Sequence, residues 1–213
     1  MAKISSFQKH VARYDAWFDA NRWAYVAELK AVGALLPVEG RRVEIGVGTG
    51  RFAAPLGINI GIEPAAGMGA VARKRGIEVV AGVAEKLPFR DFSFDSVLMV
   101  TTVCFVDDIR QTFLEAARVL ADHGCCLVAL VDKNSALGRS YEQRRRKSVF
   151  YREATFYSVD TIVALMWQAG FHDFQFTQTI FKMLSATTAE EPVESGYGRG
   201  SFVVVRGIKK PLT

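Results

Sequence analysis

Cysteine, histidine and proline are scarce in this chain of 213 residues, which carries 3, 3 and 6 of them. Cys104, Cys125 and Cys126 are an odd number with no C-x-x-C spacing, which excludes a disulfide framework and a zinc site; no bound metal is expected. Apolar runs of about 18 residues are missing, so no transmembrane helix is expected. The first segment, "MAKISSFQKHVARYD", lacks the apolar centre of a signal peptide, and a cytoplasmic location with no membrane partner is expected. Internal repeats and low-complexity stretches are absent. Charge of one sign is in small excess, +5 in all, which favours anionic partners only mildly and is too little to imply nucleic acid.

What is present fits one globular domain over residues 1–213, with 50% hydrophobic and 23% charged residues. Residues 5–36 read as helical: Phe7, Val11, Tyr14 and Phe18 fall at helical spacing, and Pro37 stops the pattern. From Arg42 short apolar runs alternate with helices. "RRVEIGV", "INIGIEP", "IEVV", "FSFDSVLMVTT" and "CCLVALVD" read as strands. "RFAAPLG" reads as a short helix, "AAGMGAVARKRG" as a helix ending at Gly76, and "IRQTFLEAARVLADHG" as a helix with Ile109, Phe113, Leu114, Ala117 and Leu120 on its apolar stripe. "SYEQRRRKS" and "VDTIVALMWQAG" are helical, the second capped by Ser158. Two late strands, "FHDFQFTQTIF" and "SFVVVRGIKK", have no helix between them. The pattern predicts an α/β fold: a doubly wound, mostly parallel seven-stranded sheet, helices on both faces, with an antiparallel hairpin at the C-terminal edge.

Ligands in such sheets sit at the C-terminal ends of the strands, and "VEIGVGTG" lies at one of them. No Lys-Ser/Thr pair follows Gly50, so this is not a triphosphate loop. The sixth position after Gly46 is Arg51 and after Gly48 is Ala53, so the dinucleotide fingerprint G-x-G-x-x-G fails as well. The remaining reading is a nucleoside whose charged tail, rather than a pyrophosphate, lies on the loop. Glu63, at the end of the next strand, is placed to accept from both hydroxyls of an unphosphorylated ribose.

"VEIGVGTGRF", "GIEPAAGM", "GVAEKLPF" and "FDSVLMVTTVCFVDD" together resemble, in order and spacing, the class I S-adenosylmethionine-dependent methyltransferases, and most nearly the small bacterial type 11 enzymes. The resemblance covers roughly residues 40–131. It implies a Rossmann-like cofactor-binding core over 40–131, a helical lid over 1–38 carrying "YDAWFD", and a substrate-side segment with the C-terminal hairpin over 132–213. It implies S-adenosyl-L-methionine as cofactor and S-adenosyl-L-homocysteine as product. Gly46, Gly48 and Gly50 would admit the methionine part, and Glu44 would orient the loop or the cofactor's amino group. Glu63 would hold the ribose, Pro64 and Met68 would lie near the adenine, and Ala84 and Glu85 would read its edge. Thr101 and Thr102 would sit near the methyl. The chain departs from the family at Val83, where an Asp usually accepts from the adenine amino group.

Methyl transfer from a sulfonium needs alignment and exclusion of water more than a fixed triad, and no triad is present. Asp132, Tyr14 and His10 are the candidates for a base, with Asp132 equally suited to capping a turn. Tyr14, Arg139 and Tyr141 are candidates for contact with the acceptor. Cys104 is not preceded by proline, as cytosine C5 chemistry would want, and reads as packing. The Asn/Asp-Pro-Pro-aromatic turn of base-amine methylation is absent. Arg144 to Lys147, with Tyr141, Phe150 and Tyr151 interleaved, is the one argument for RNA, set against a solvated helix face. The expected function is methyl transfer to a small-molecule nitrogen, oxygen or carbon nucleophile. The alternatives are an RNA methyltransferase and a non-catalytic protein that binds the cofactor.

Overall fold

A computed structural model describes residues 4–211; residues 1–3 and 212–213, the outer ends of the expected lid and C-terminal segment, lie outside it. The chain opens with three helices, α1 (Ser5–Lys9), α2 (Val11–Ala20) and α3 (Arg22–Gly33). An alternation follows: β1 (Arg42–Ile45), β2 (Ile60–Ile62), α4 (Ala66–Lys74), β3 (Glu78–Val80), β4 (Phe94–Val100), α5 (Ile109–Val119), β5 (Leu120–Val131), α6 (Ala136–Arg144) and α7 (Val159–Gln168). It closes with β6 (Phe171–Thr179), β7 (Glu194–Ser195) and β8 (Phe202–Lys209).

The strands form one sheet in the order β3-β2-β1-β4-β5-β8-β6-β7. Strands β1 to β5 pair in parallel, and β8, β6 and β7 are antiparallel. Consecutive residues of β5 show how the two faces are filled. Cys125, Leu127 and Ala129 pack with Ala27, Ala31 and Val32 of α3, whereas Cys126, Val128 and Leu130 pack with Phe113 of α5 and Ile162 of α7. The period of two thus sends each cysteine into a different core. Side-chain caps start the later helices. Asp108 Oδ1 accepts from the N–H of Arg110 and Gln111, Ser135 Oγ from Gly138 and Ser158 Oγ from Thr161.

Four sequence expectations are corrected. The sheet has eight strands, because the two-residue β7 adds to the outer edge of β6. Residues 51–57 form successive turns rather than a helix. Pro55 has no N–H to give, and around it the bonds run irregularly, Leu56 N to Phe52 O but Ile58 N to Ala53 O. Helix α5 ends at Val119, and Leu120 already pairs with Phe94 in the sheet. Its buried side is Thr112, Phe113, Ala116 and Val119, while Leu114 is 51% exposed.

Candidate functional site

The strand order reverses about β1, between β2 and β4, and a cleft of about 540 Å³ opens at the C-terminal ends of these strands. Its floor is the glycine loop. Gly46, Gly48 and Gly50 have φ of +72°, +56° and +83°, a region that L side chains adopt with strain. Two of the three are also fixed by packing: a Cβ on Gly46 would meet Thr102 Oγ1 at 2.5 Å, and one on Gly50 would meet Ile77 Cδ1 at 2.4 Å. Gly46 and Gly48 line the cleft, and a Cβ on Gly48 would come 3.2 Å from Tyr14 Oη and 3.6 Å from Met68 Cε.

Two buried carboxylates flank the loop. Glu63 is clamped by backbone, Oε2 accepting from Gly48 N at 2.9 Å and Oε1 from Ala65 N at 2.8 Å. Burial raises its pKa, and these two bonds pull the other way. Each oxygen keeps acceptor capacity beyond these bonds, and Glu63 lines the cleft. Glu44 is 2% exposed and accepts from Ala53 N–H, yet its Oε2 has no partner. Burial first, and then the nearby Glu63, push its pKa well up.

Thr101, at the end of β4, is held at φ +50° with its N–H on Ala129 O. Beside it Thr102 Oγ1 lies within hydrogen-bond reach of Ile45 O and Val100 O, which ties β4 to β1. Pro64, Met68, Ala84, Glu85, Thr101 and Thr102 all line the cleft, as does Val83. Glu85 Oε1 is already engaged, accepting from Asp107 N at 2.6 Å and Asp108 N at 3.2 Å. That clamps the loop after β3 to the loop after β4.

Helix α2 covers the floor and is pinned there by ion pairs. Asp15 accepts from Arg51, Arg75 and the Thr49 hydroxyl at 2.8 to 3.0 Å. Burial works to raise the Asp15 pKa, but these bonds outweigh it and hold the carboxyl far below its usual range. Tyr14, one residue back, therefore points its hydroxyl over Gly48. Burial, then the charges of Glu44 and Glu63, raise its phenol pKa strongly.

The outer half of the cleft is aromatic. Phe7 packs edge-on to Phe105 at 4.8 Å and against Phe150 at 5.4 Å, and Tyr141 stacks on Tyr151 at 5.0 Å. Tyr141, Phe150 and Tyr151, the aromatic half of the RNA argument, are thus turned into this wall, with Arg144 and Lys147 at its edge.

Other predicted residues lie elsewhere. His10 is exposed at the end of α1. Asp132 is 5% exposed and organises the turn into α6, its Oδ1 accepting from Asn134 N. Arg139 is exposed, with its guanidinium on Asn134 O. Sequence reasoning passed over Phe7, Phe105 and Glu28. The signal for Glu28 was present: it follows Ala24 by four residues and precedes Val32 by four, so it falls on the buried stripe of α3. Among the described residues no group of three or more His, Cys, Asp or Glu is placed to hold a metal, and no helix is long and apolar enough to cross a membrane.

Comparison with known proteins gives three findings. A family model described as a methyltransferase domain matches residues 43–128. A solved structure from Thermotoga maritima, described as a SAM-dependent methyltransferase and possible histamine N-methyltransferase, is 53% identical with a TM-score of 0.95, covering 97% of this chain and 100% of that one. An uncharacterized protein of Methanocaldococcus jannaschii is 40% identical over 97% of this chain and 100% of its own, and a demethylmenaquinone methyltransferase of Chlorobaculum tepidum is 34% identical over 57% of this chain and 54% of its own.

Proposed function

The chain belongs to the S-adenosylmethionine-dependent methyltransferases, and from that premise we propose that it methylates a small-molecule nitrogen, oxygen or carbon nucleophile held in the aromatic half of the cleft. The observation that carries the reading is the pair of carboxylates flanking the glycine loop, Glu63, which lines the cleft, and the buried Glu44. Glu44 Oε2 is buried and orphaned, and it suits the ammonium of an amino-acid tail. Glu63, with both oxygens fixed by backbone N–H, suits the two hydroxyls of a ribose. The bare face of Gly48 leaves room for a ligand to lie on the backbone. A second negative charge so near Glu44 is unfavourable until a cation arrives, so the site is electrostatically prepared for one.

When bound, S-adenosylmethionine supplies a methyl on a cationic sulfur, already activated toward in-line displacement. The residues of this chain have the remaining tasks. Thr101 and Thr102 fix the end of β4 beside the floor, and the strained φ of Thr101 is what a position shaped by a ligand shows. Tyr14 closes over Gly48, and the Asp15 ion pairs hold it there. Phe7, Phe105, Phe150 and Tyr151 keep water from the acceptor, which lengthens the reach of every charge inside. Alignment of the acceptor by these walls is the main source of rate, and a base is needed only where the attacking atom arrives protonated.

Titration calorimetry with S-adenosylmethionine and with S-adenosylhomocysteine tests the reading. Saturable binding of both is expected. No heat at millimolar concentration of either overturns it. Methyl transfer to any member of a screen of amines, phenols and quinone precursors separates an enzyme from a protein that only binds the cofactor.

A further inference from the structure

Three acids line the cleft: Glu28, Glu63 and Glu85. Two are satisfied by backbone N–H groups, as described above. Glu28 is different. It projects from α3 and is 7% exposed, and no hydrogen bond or ion pair from the described residues reaches its carboxyl group. Burial alone acts on it and raises its pKa to about 8. A lone carboxyl in such a place is costly, and an apolar residue of similar volume would serve packing better.

Its neighbours are aromatic. Glu28 is near enough to Tyr14, Tyr141 and Tyr151 for its charge to help raise all three phenols. Aromatic faces attract cations, and a carboxylate among them adds a full countercharge. The basic side chains of the cleft, Arg13, Arg144 and Lys147, are all exposed, so none of them is a buried partner for Glu28.

We propose that Glu28 is the anchor for a protonated amine on the methyl acceptor, so that the acceptor is an alkylamine carried on a flat apolar body. The inference rests on the methyltransferase reading and adds to it the class of acceptor and the residue that selects it. The ammonium sits against Glu28 between the tyrosines, and the apolar body lies along Phe7, Phe105 and Phe150. Glu28 positions the acceptor; the geometry leaves open to the acceptor's own chemistry which of its atoms takes the methyl. Because Glu28 is protonated at neutral pH when the cleft holds no cation, capture of an ammonium ion displaces a proton. Tyr14, Tyr141 and Tyr151 keep theirs, since burial holds their phenols above the usual range.

The test uses the full chain saturated with S-adenosylhomocysteine, titrated with 2-phenylethylamine and tryptamine and with their alcohol counterparts, 2-phenylethanol and tryptophol. The wild type is compared with Glu28→Gln. The amines are expected to bind at least ~10-fold more tightly than the alcohols, since a charge-assisted contact contributes roughly that much or more. Glu28→Gln is expected to remove the preference while leaving the alcohols and S-adenosylhomocysteine unaffected. Calorimetry at pH 7 in buffers of different ionisation enthalpy should show proton release on amine binding to the wild type and none to the variant. Equal affinity for amines and alcohols, no amine binding, an unchanged preference in Glu28→Gln, or a variant that loses the cofactor product instead overturns the inference. Failure of the wild type to bind S-adenosylhomocysteine at all would instead overturn the methyltransferase reading beneath it.

Discussion

The two halves of the cleft are built by different means. The floor is made of backbone: the loop from Gly46 to Gly50, with Glu63 locked by two N–H groups and Thr102 hydrogen-bonding across strands. Glu63 and Thr102 are held there by hydrogen bonds to backbone, while Glu44 Oε2 keeps no partner. The outer wall is made of long side chains from segments far apart in the chain, Phe7, Tyr14, Phe105, Tyr141 and Tyr151, joined by ring contacts. A backbone cradle reads one ligand in one pose. A wall of rings accepts many shapes, and in our proposal Glu28 supplies the selection.

Substitutions should separate the halves, the largest effect first. Gly48→Val puts a branched side chain at φ +56° and against Tyr14 and is expected to abolish binding of S-adenosylhomocysteine, a loss of at least ~100-fold by calorimetry, with the circular dichroism spectrum kept. Retained binding would misplace the cofactor.

Glu28→Gln should act on stability in the opposite sense. The Glu28 pKa is raised from 4.5 to about 8 on folding. Its favourable contribution is therefore complete below about pH 4.5 and is lost as pH rises toward 8. The variant should gain on the wild type across that window, by roughly 2–4 kcal/mol at pH 8.5 in urea denaturation, and match it near pH 4.5.

Glu63→Ala should weaken S-adenosylhomocysteine by about 30-fold to 100-fold, or roughly 2–3 kcal/mol, since it removes a ribose acceptor and frees Gly48 N–H. Binding of the bare amino-acid tail, tested with homocysteine, should change less.

Asp15→Asn should have the smallest effect, about 1–2 kcal/mol of stability at pH 7 by thermal unfolding. The pKa of Asp15 is lowered on folding from its usual value of 3.8. The contribution is thus present above that value and lost as acid takes the pH below it. The difference between variant and wild type should shrink in acid, and the KM for cofactor should rise with the loosened α2.

How much of this was legible follows the same divide. The placement of the glycine loop at the end of β1 and of Glu63 at the end of β2 was readable, because each follows a short apolar run, whereas Thr101 and Thr102 were singled out only by the family resemblance. The two faces of the sheet follow from the period of two along β5, which sends Cys125 and Cys126 into different cores. The helix expected at residues 51–57 was not, because Pro55 removes a backbone donor whose loss the periodicity does not register. Leu114 was placed on the wrong side of α5, since Thr112 and Ala116 bury there in preference to a larger side chain. The role of Tyr151 was hidden by its basic neighbours. Arg144 to Lys147 read as an RNA face in one dimension, and in three the rings fold inward against Phe7 and Tyr141. Glu28 was hidden for the opposite reason, an acid on an apolar stripe that sequence treats as an exception.

The central claim is that the floor of this cleft is a cradle for S-adenosylmethionine. A crystal structure with S-adenosylhomocysteine tests it most directly. The account predicts both ribose hydroxyls on the Glu63 carboxylate, the ammonium of the tail on Glu44 Oε2, and the adenine beside Met68 and Ala84. A ligand bound anywhere else, or a ribose that leaves Glu63 to its backbone partners alone, would contradict it.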